Sequence, residues 1–219
     1  MTLKLYFAPG ACSFVPHTLL ETAGEPFEAV MVKIHKGENY GPEYKAVNPR
    51  SQVPVLVDGG QVITQIVAIV SYLNDRFPQA GFLPREPLAR ARVLETLAWM
   101  NNTVHPTFTH IFMPHKFSDN AAVHGDLREY NTRLYRGMLN ELEALVQGAA
   151  AQGRVYLGGE HFGPLDAYAL TLLRWGGIAG IDPEDHPALW TFVQRVAQLP
   201  PVARAMARER LQLNLYQAN

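Results

Sequence analysis

The residues best placed for chemistry lie near the start of the chain, in Ala8-Pro9-Gly10-Ala11-Cys12-Ser13-Phe14-Val15-Pro16-His17. Cys12 is the single cysteine, and it stands where the apolar run Leu3 to Phe7 gives way to a predicted helix. Gly10 permits a sharp turn, and Pro16 is tolerated in a first helical turn whose N–H groups have no intrahelical acceptor. Those groups, at the positive end of the helix dipole, favour an anion. A thiol held there, from Cys12 or from a ligand, is therefore biased toward thiolate. The alternative is that Cys12 is a small buried hydrophobe, the commoner fate of a lone cysteine. Its position between Gly10 and Ser13 keeps both readings open.

Two further stretches carry chemical potential. Gln65 precedes Val67-Ala68-Ile69, where apolar residues take up helical spacing, so a second helix N-terminus offers N–H groups suited to a carboxylate. The plainer reading of Gln65 is a cap or surface residue. Pro54 stands directly before Val55-Leu56-Val57, where a proline, above all a cis one, denies the sheet a donor and turns the backbone of Val53 outward. On spacing alone it reads as a strand-start proline. His105, His110 and His115 recur every five residues. On a continuing helix, successive rings then point about 140° apart, which argues against convergence on one metal ion.

Composition limits what these groups can serve. The chain has 219 residues, 47% of them hydrophobic, and a formal net charge of −1, enough for one sizeable core or two modest ones. A near-neutral balance argues against a nucleic-acid surface, and no apolar run approaches the roughly 20 residues of a membrane span. One cysteine leaves no intramolecular disulfide or Cys-rich zinc site, and no basic-then-apolar leader is evident. The expected compartment is a reducing cytoplasm.

The elements that must position the candidate residues follow in order. Residues 3–7 read as a strand, 13–22 as a helix ended by Ala23-Gly24, and 27–32 as a second strand, a βαβ unit with parallel neighbours. Residues 35–46 read as surface loop with a short helical turn. Val55 to Val57 and Val62-Ile63 flank a tight turn at Asp58-Gly59-Gly60-Gln61 as an antiparallel hairpin. The stretch 78–87, with three prolines and a glycine, reads as a linker between domains at 1–77 and 88–219. Beyond it all is helical: Leu88 to about Val104, broken or kinked at His105-Pro106; Asp126 to Val146, with Leu127, Tyr130, Leu134, Met138, Leu142 and Leu145 as its core face; a central Leu165 to Trp175, with Asp166 meeting free N–H groups; His186-Pro187 to Leu199, stopped by Pro200-Pro201; and a last turn or two from Val202 to Arg210.

With these pieces placed, the sequence resembles a bacterial cytosolic glutathione transferase, most similar to the beta class. The likeness spans nearly the whole chain and rests on Ala8 to Ser13, on Asn48-Pro49 with Gln52-Val53-Pro54, on Gln65 before Val67-Ala68-Ile69, and on Asp166-Ala167-Tyr168 with Leu173-Arg174-Trp175. The resemblance implies an α/β thioredoxin-like N-terminal domain, βαβ then ββα, followed by an all-α helical domain. It also implies a homodimer with the active site at the domain cleft. The implied activity is conjugation of glutathione, as cosubstrate, to small hydrophobic electrophiles, without a metal.

Residue by residue, the resemblance sets Cys12 and Ser13 beside the glutathione sulfur and His105 at the border of the cleft near the thiol. It makes Pro54 cis, pairs Val53 through its backbone with the cysteinyl part, gives Gln65 and the N–H of Ile66 to the γ-glutamyl end, and brings Asn102 across the dimer to the γ-glutamyl amine. Ile66 stands where many relatives have serine, Pro106 where they often have lysine, and Gly163 where they have Ser or Thr. Loss of one charge-assisted hydrogen bond, roughly 1.5–3 kcal/mol, weakens glutathione about tenfold or more. Val15 occupies the second position of a would-be C-x-x-C, so no internal dithiol forms. A monothiol disulfide reductase or peroxidase acting through Cys12 is one rival reading, and a non-catalytic binding or scaffold protein is another. Phe108, Phe112, Met113 and Trp175 are candidates for an apolar electrophile pocket, although such residues are more often core.

Overall fold

A computed structural model describes residues 2–218. Strand β1 (Leu3–Phe7) runs parallel to β2 (Phe27–Met31), from Leu3 opposite Phe27 to Phe7 opposite Met31, and α1 (Phe14–Ala23) makes the crossover. On the other side β3 (Val55–Asp58) pairs antiparallel with β1 and then with β4 (Gln61–Thr64), giving the order β2-β1-β3-β4. The βαβ unit and the hairpin are thus as the sequence implied. Residues 35–46, expected as loop, hold two 3-10 turns and α2 (Pro42–Val47), and α3 (Ile66–Arg76) closes the thioredoxin-like unit. The Val53–Pro54 peptide is cis, as the family resemblance implied and spacing alone did not.

A helical region follows the Pro-rich stretch, beginning with α4 (Pro87–Trp99), whose first amides, those of Leu88 and Ala89, donate to the Glu86 carboxylate. The kink or break expected at His105-Pro106 takes the form of a helical irregularity just ahead of it, and the helix is not interrupted. A π-helical segment, Met100–Val104, leads without interruption into α5 (His105–Phe112), and the N–H of His105 reaches back to the carbonyl of Met100. This wider turn accommodates a proline that cannot donate, so the helix continues through it.

Helix α6 (His124–Ala151) also departs from expectation, because its buried face is Asn131, Tyr135, Leu139, Leu142, Val146 and Ala149. Of the predicted stripe only Leu142 is buried, while Tyr130, Leu134 and Leu145 are exposed. Two apolar stripes lie side by side on this helix, and periodicity alone cannot say which one meets the core. Helix α7 (Pro164–Ile178) is buried along nearly its whole length, as predicted for the centre of the helical region. Asp166 accepts hydrogen bonds from the N–H groups of Leu157 and Gly163, each at 2.8 Å. Helices α8 (Pro187–Ala197) and α9 (Pro200–Glu209) complete the chain of elements. Pro200 and Pro201 open α9 as well as ending α8, since the first helical turn needs no donors. Helix α1 packs between the sheet and helices α3, α7 and α9, so the first helix of the chain is clasped by the last.

Candidate active site

The turn from β1 into α1 is held from several directions. The N–H of Ala11 donates to the carbonyl of Ala8 at 3.1 Å, while Ser13 Oγ accepts from the N–H of Ala8 at 3.1 Å and donates to its carbonyl at 3.2 Å. Ser13 is fully buried, and its hydroxyl is spent bracing the turn. Gly10 adopts φ 69°, a left-handed conformation suited to glycine, and a Cβ there would lie 2.6 Å from Nη1 of Arg174. Its N–H donates to Glu209 Oε2 at 2.8 Å, and its carbonyl accepts from the indole N–H of Trp175 at 2.8 Å. The other carboxylate oxygen of Glu209 meets Nδ1 of the buried His17 at 2.7 Å. The β1–α1 turn is therefore suspended from α7 and α9, elements more than 160 residues away in sequence.

Within this frame the Cys12 thiol is buried and donates to the carbonyl of Val53, with Sγ···O 3.7 Å. Burial pushes its pKa up to about 12, overcoming the opposing pull of the Cys12 and Ser13 N–H groups. The expectation that a thiol here is biased toward thiolate is thus corrected for Cys12 itself: it is a neutral S–H donor. The reading as a small buried side chain holds, and the thiol also meets the backbone ahead of the cis proline. The loop carrying Val53 and Pro54 is pinned from behind. Tyr44 Oη and Asn48 Nδ2 both donate to the carbonyl of Gln52 at 2.8 Å, and Asn39 Nδ2 donates to that of Ser51 at 2.9 Å.

At the second helix N-terminus, Gln65 adopts φ 73° and ψ 126°, an unusual conformation for a side chain with a Cβ, and its side chain is exposed without capping the helix. Ile66 is buried, so it offers its backbone N–H and nothing polar from its side chain. His105 stands on the far side of the β1–α1 turn, its ring 4.8 Å from that of Trp175, and its Nδ1 lies 2.9 Å from the Tyr168 hydroxyl. Burial, helped by Lys116, lowers its pKa to about 4, so the ring is neutral. Asn102 lies exposed on the π-helical segment and accepts from Asn101 Nδ2 at 2.8 Å.

Of the apolar candidates, Phe108 and Trp175 are buried and stacked 4.7 Å apart, whereas Phe112 is exposed. An open cleft of about 580 Å³ is lined by Ile111, Arg128, Arg136 and Ile178 among others, and by none of the predicted site residues. Among the described residues no group of three or more His, Cys, Asp or Glu is arranged to hold a metal ion, and no helix is long and apolar enough to cross a membrane.

The sequence reading assigned no role to Tyr44, His17 or Glu209; Asn48 and Tyr168 stood only in the motifs that carry the resemblance, and Trp175, a pocket candidate weighed against core, is buried and tied to Gly10. Asn48 carried a local signal, an Asn-Pro just ahead of the turn. The others act across the fold, where sequence spacing is silent.

The site has relatives. A family model described as the glutathione S-transferase N-terminal domain matches residues 1–75. The chain is 32% identical over 213 residues to the glutathione S-transferase GstA of Escherichia coli O157:H7, covering 95% of this chain and all of that one. Among solved structures it is similar to a sphingomonad glutathione S-transferase complexed with glutathione, with a TM-score of 0.80 at 32% identity over 95% of this chain and all of the other. It is also similar to the glutathione S-transferase from Xylella fastidiosa, with a TM-score of 0.85 at 29% identity over 96% of this chain and all of the other.

Proposed function

The chain belongs to the glutathione S-transferase family, and on that premise we propose that it joins the sulfur of glutathione to small hydrophobic electrophiles at the α1 N-terminus. One observation carries the reading: a neutral, buried Cys12 thiol at the mouth of α1, hydrogen-bonded to the carbonyl beside the cis proline. A group so strongly held in its S–H form is a hydrogen-bond donor and a poor nucleophile. The attacking sulfur is then that of glutathione, ionised by the Cys12 and Ser13 N–H groups and by the S–H of Cys12.

In this reading the backbone of Val53 ahead of Pro54 pairs with the cysteinyl unit, and Gln65 with the N–H of Ile66 takes the γ-glutamyl end. Asn102 faces the γ-glutamyl amine from a partner subunit, and His105 borders the sulfur. Lowering the pKa of a thiol from its reference value of roughly 8.5 supplies much of the rate enhancement. Phe108 stacks on both Phe112 and Trp175, and Trp175 meets His105, a suitable wall for an apolar electrophile.

A homodimer is part of the proposal, supported by the exposed apolar side chains of α6, Tyr130, Leu134 and Leu145, and by the exposed Val62 on β4. Cytoplasmic residence fits the single free thiol. A redox role through Cys12 is less favoured, because the same burial that makes it a donor suppresses the thiolate that a mixed disulfide requires. The deciding experiment compares Cys12→Ala with wild type. Conjugation of an aryl chloride should survive, slowed by about tenfold to a hundredfold, the net worth of one hydrogen bond to a charged group. Loss of all conjugation, or a mixed disulfide formed at rates matching turnover, would transfer the chemistry to Cys12.

A further inference from the structure

The open cleft of about 580 Å³ between α5, α6 and the end of α7 takes no part in the proposed function, and its volume is that of a small-molecule site. Its floor is apolar, made by Ile111 from α5 and Ile178 from the end of α7. Gly125, Arg128, Thr132 and Arg136, spaced by three or four residues along α6, form the facing wall.

The wall carries a charge that the protein does not cancel. Arg133 is paired with Glu129 and Arg136 with Asp185, each at 2.5 Å, whereas Arg128 has no carboxylate partner among the described residues. Three cations set against two carboxylates leave one positive charge at the edge of an apolar floor. Thr132 adds a hydroxyl. Thr107, Thr109, Thr171 and Thr191 each spend theirs on the carbonyl four residues earlier in the helix, and among the described residues Thr132 makes no such bond. Gly125 keeps the wall open, since a Cβ there would meet nothing within 4 Å.

The cleft also lies away from the surface assigned to the homodimer. At about 100° per residue, the buried stripe of Tyr135, Leu139, Leu142 and Val146 divides α6 into two flanks. Tyr130, Leu134 and Leu145 fall on one flank, and Gly125, Thr132 and Arg136 on the other. A partner seated on the first leaves the second open.

We propose that this cleft binds an amphipathic monocarboxylate, its carboxylate held by Arg128 and Thr132 and its bulky apolar body resting on Ile111 and Ile178. A guanidinium offers a carboxylate two parallel N–H donors, and a threonine hydroxyl offers a third. The single uncancelled charge matches one carboxylate, and the floor rewards an apolar body that a small inorganic anion lacks. The site is separate from the conjugation chemistry and calls for no covalent step.

The test is calorimetric titration with 2-naphthoate and with its neutral counterpart 2-naphthamide. Excess S-hexylglutathione is kept present to fill the α1 site. Wild type should bind 2-naphthoate saturably and 2-naphthamide about tenfold or more weakly, with added salt weakening only the acid. Arg128→Gln should weaken 2-naphthoate about tenfold or more and leave 2-naphthamide unchanged, which isolates the charge. Gly125→Leu should abolish binding of both by filling the cleft. It adds a helix-favouring side chain where there is room, so its thermal stability should not fall. Conjugation of an aryl chloride should match wild type in both variants. No saturable heat in wild type at millimolar 2-naphthoate, equal affinity for acid and amide, or wild-type binding in Arg128→Gln and Gly125→Leu overturns the proposal.

Discussion

The two helix N-termini of the thioredoxin-like unit are built on opposite plans. At α1 the turn is bound to β1 by Ser13, to α7 by Trp175 and to α9 by Glu209, and its one reactive side chain is buried. At α3 the entering residue, Gln65, is exposed, uncapped and held at positive φ, while Ile66 contributes only an amide. On the proposed reading, the sulfur end of the site is preorganised by the rest of the molecule, and the γ-glutamyl end is loosely furnished. In an enzyme of this kind, rigidity belongs where charge develops, since preorganised donors lower a barrier in a way that flexible ones cannot.

The contrast is broken most severely by Glu209→Ala. That change leaves the N–H of Gly10 and the ring of His17 without their acceptor, and each buried polar group left unsatisfied costs about 1–3 kcal/mol. Urea unfolding should report it, and Glu209→Gln, which keeps an acceptor for Gly10, should recover part of the loss.

Next in size is a dependence on pH at the same end. His105 has a folded pKa of about 4 against an ordinary 6.5, so the unfolded chain takes up the proton first. Stability from this group is therefore fully present above pH 6.5 and is lost as pH falls toward 4, by about 3 kcal/mol. The difference in unfolding free energy between pH 7.5 and pH 4.5, roughly two-thirds or more of that span, should shrink in His105→Gln.

The loose end should respond differently. Ile66→Ser supplies a hydroxyl for a substrate carboxylate, and calorimetric titration should show glutathione binding about tenfold tighter. The same change should lower thermal stability, because Ile66 is buried in the core beside Cys12. Gln65→Gly should do the reverse on a smaller scale, relieving about 1 kcal/mol of backbone strain while weakening binding. If neither substitution changes affinity, the γ-glutamyl end lies elsewhere.

What could be read from the sequence divides along the same line. The β1–α1 turn, the Asp58–Gln61 hairpin and the Gln65 helix start are local features, declared by glycine, proline and alternating apolar residues. At Pro106 the sequence left kink and break open, and the π-helical turn that resolves them is announced by no composition signal. The core face of α6 was misread because Tyr130, Leu134 and Leu145 form a second stripe as apolar as the buried one. The acidity of Cys12 was misread because a helix N-terminus is visible in sequence and burial is not. The bonds from Glu209 to Gly10 and from Tyr168 to His105 join residues 199 and 63 positions apart, so only the folded chain discloses them.

The most direct measurement is the ultraviolet titration of thiolate in the glutathione complex of wild type and Cys12→Ala. The bound glutathione sulfur should ionise well below its solution value of roughly 8.5, and the signal should persist, moved upward by about one unit, when Cys12 is removed. A thiolate that appears only at the solution value in wild type, or one that disappears with Cys12, would contradict the assignment of the α1 amides as the cradle of the glutathione sulfur.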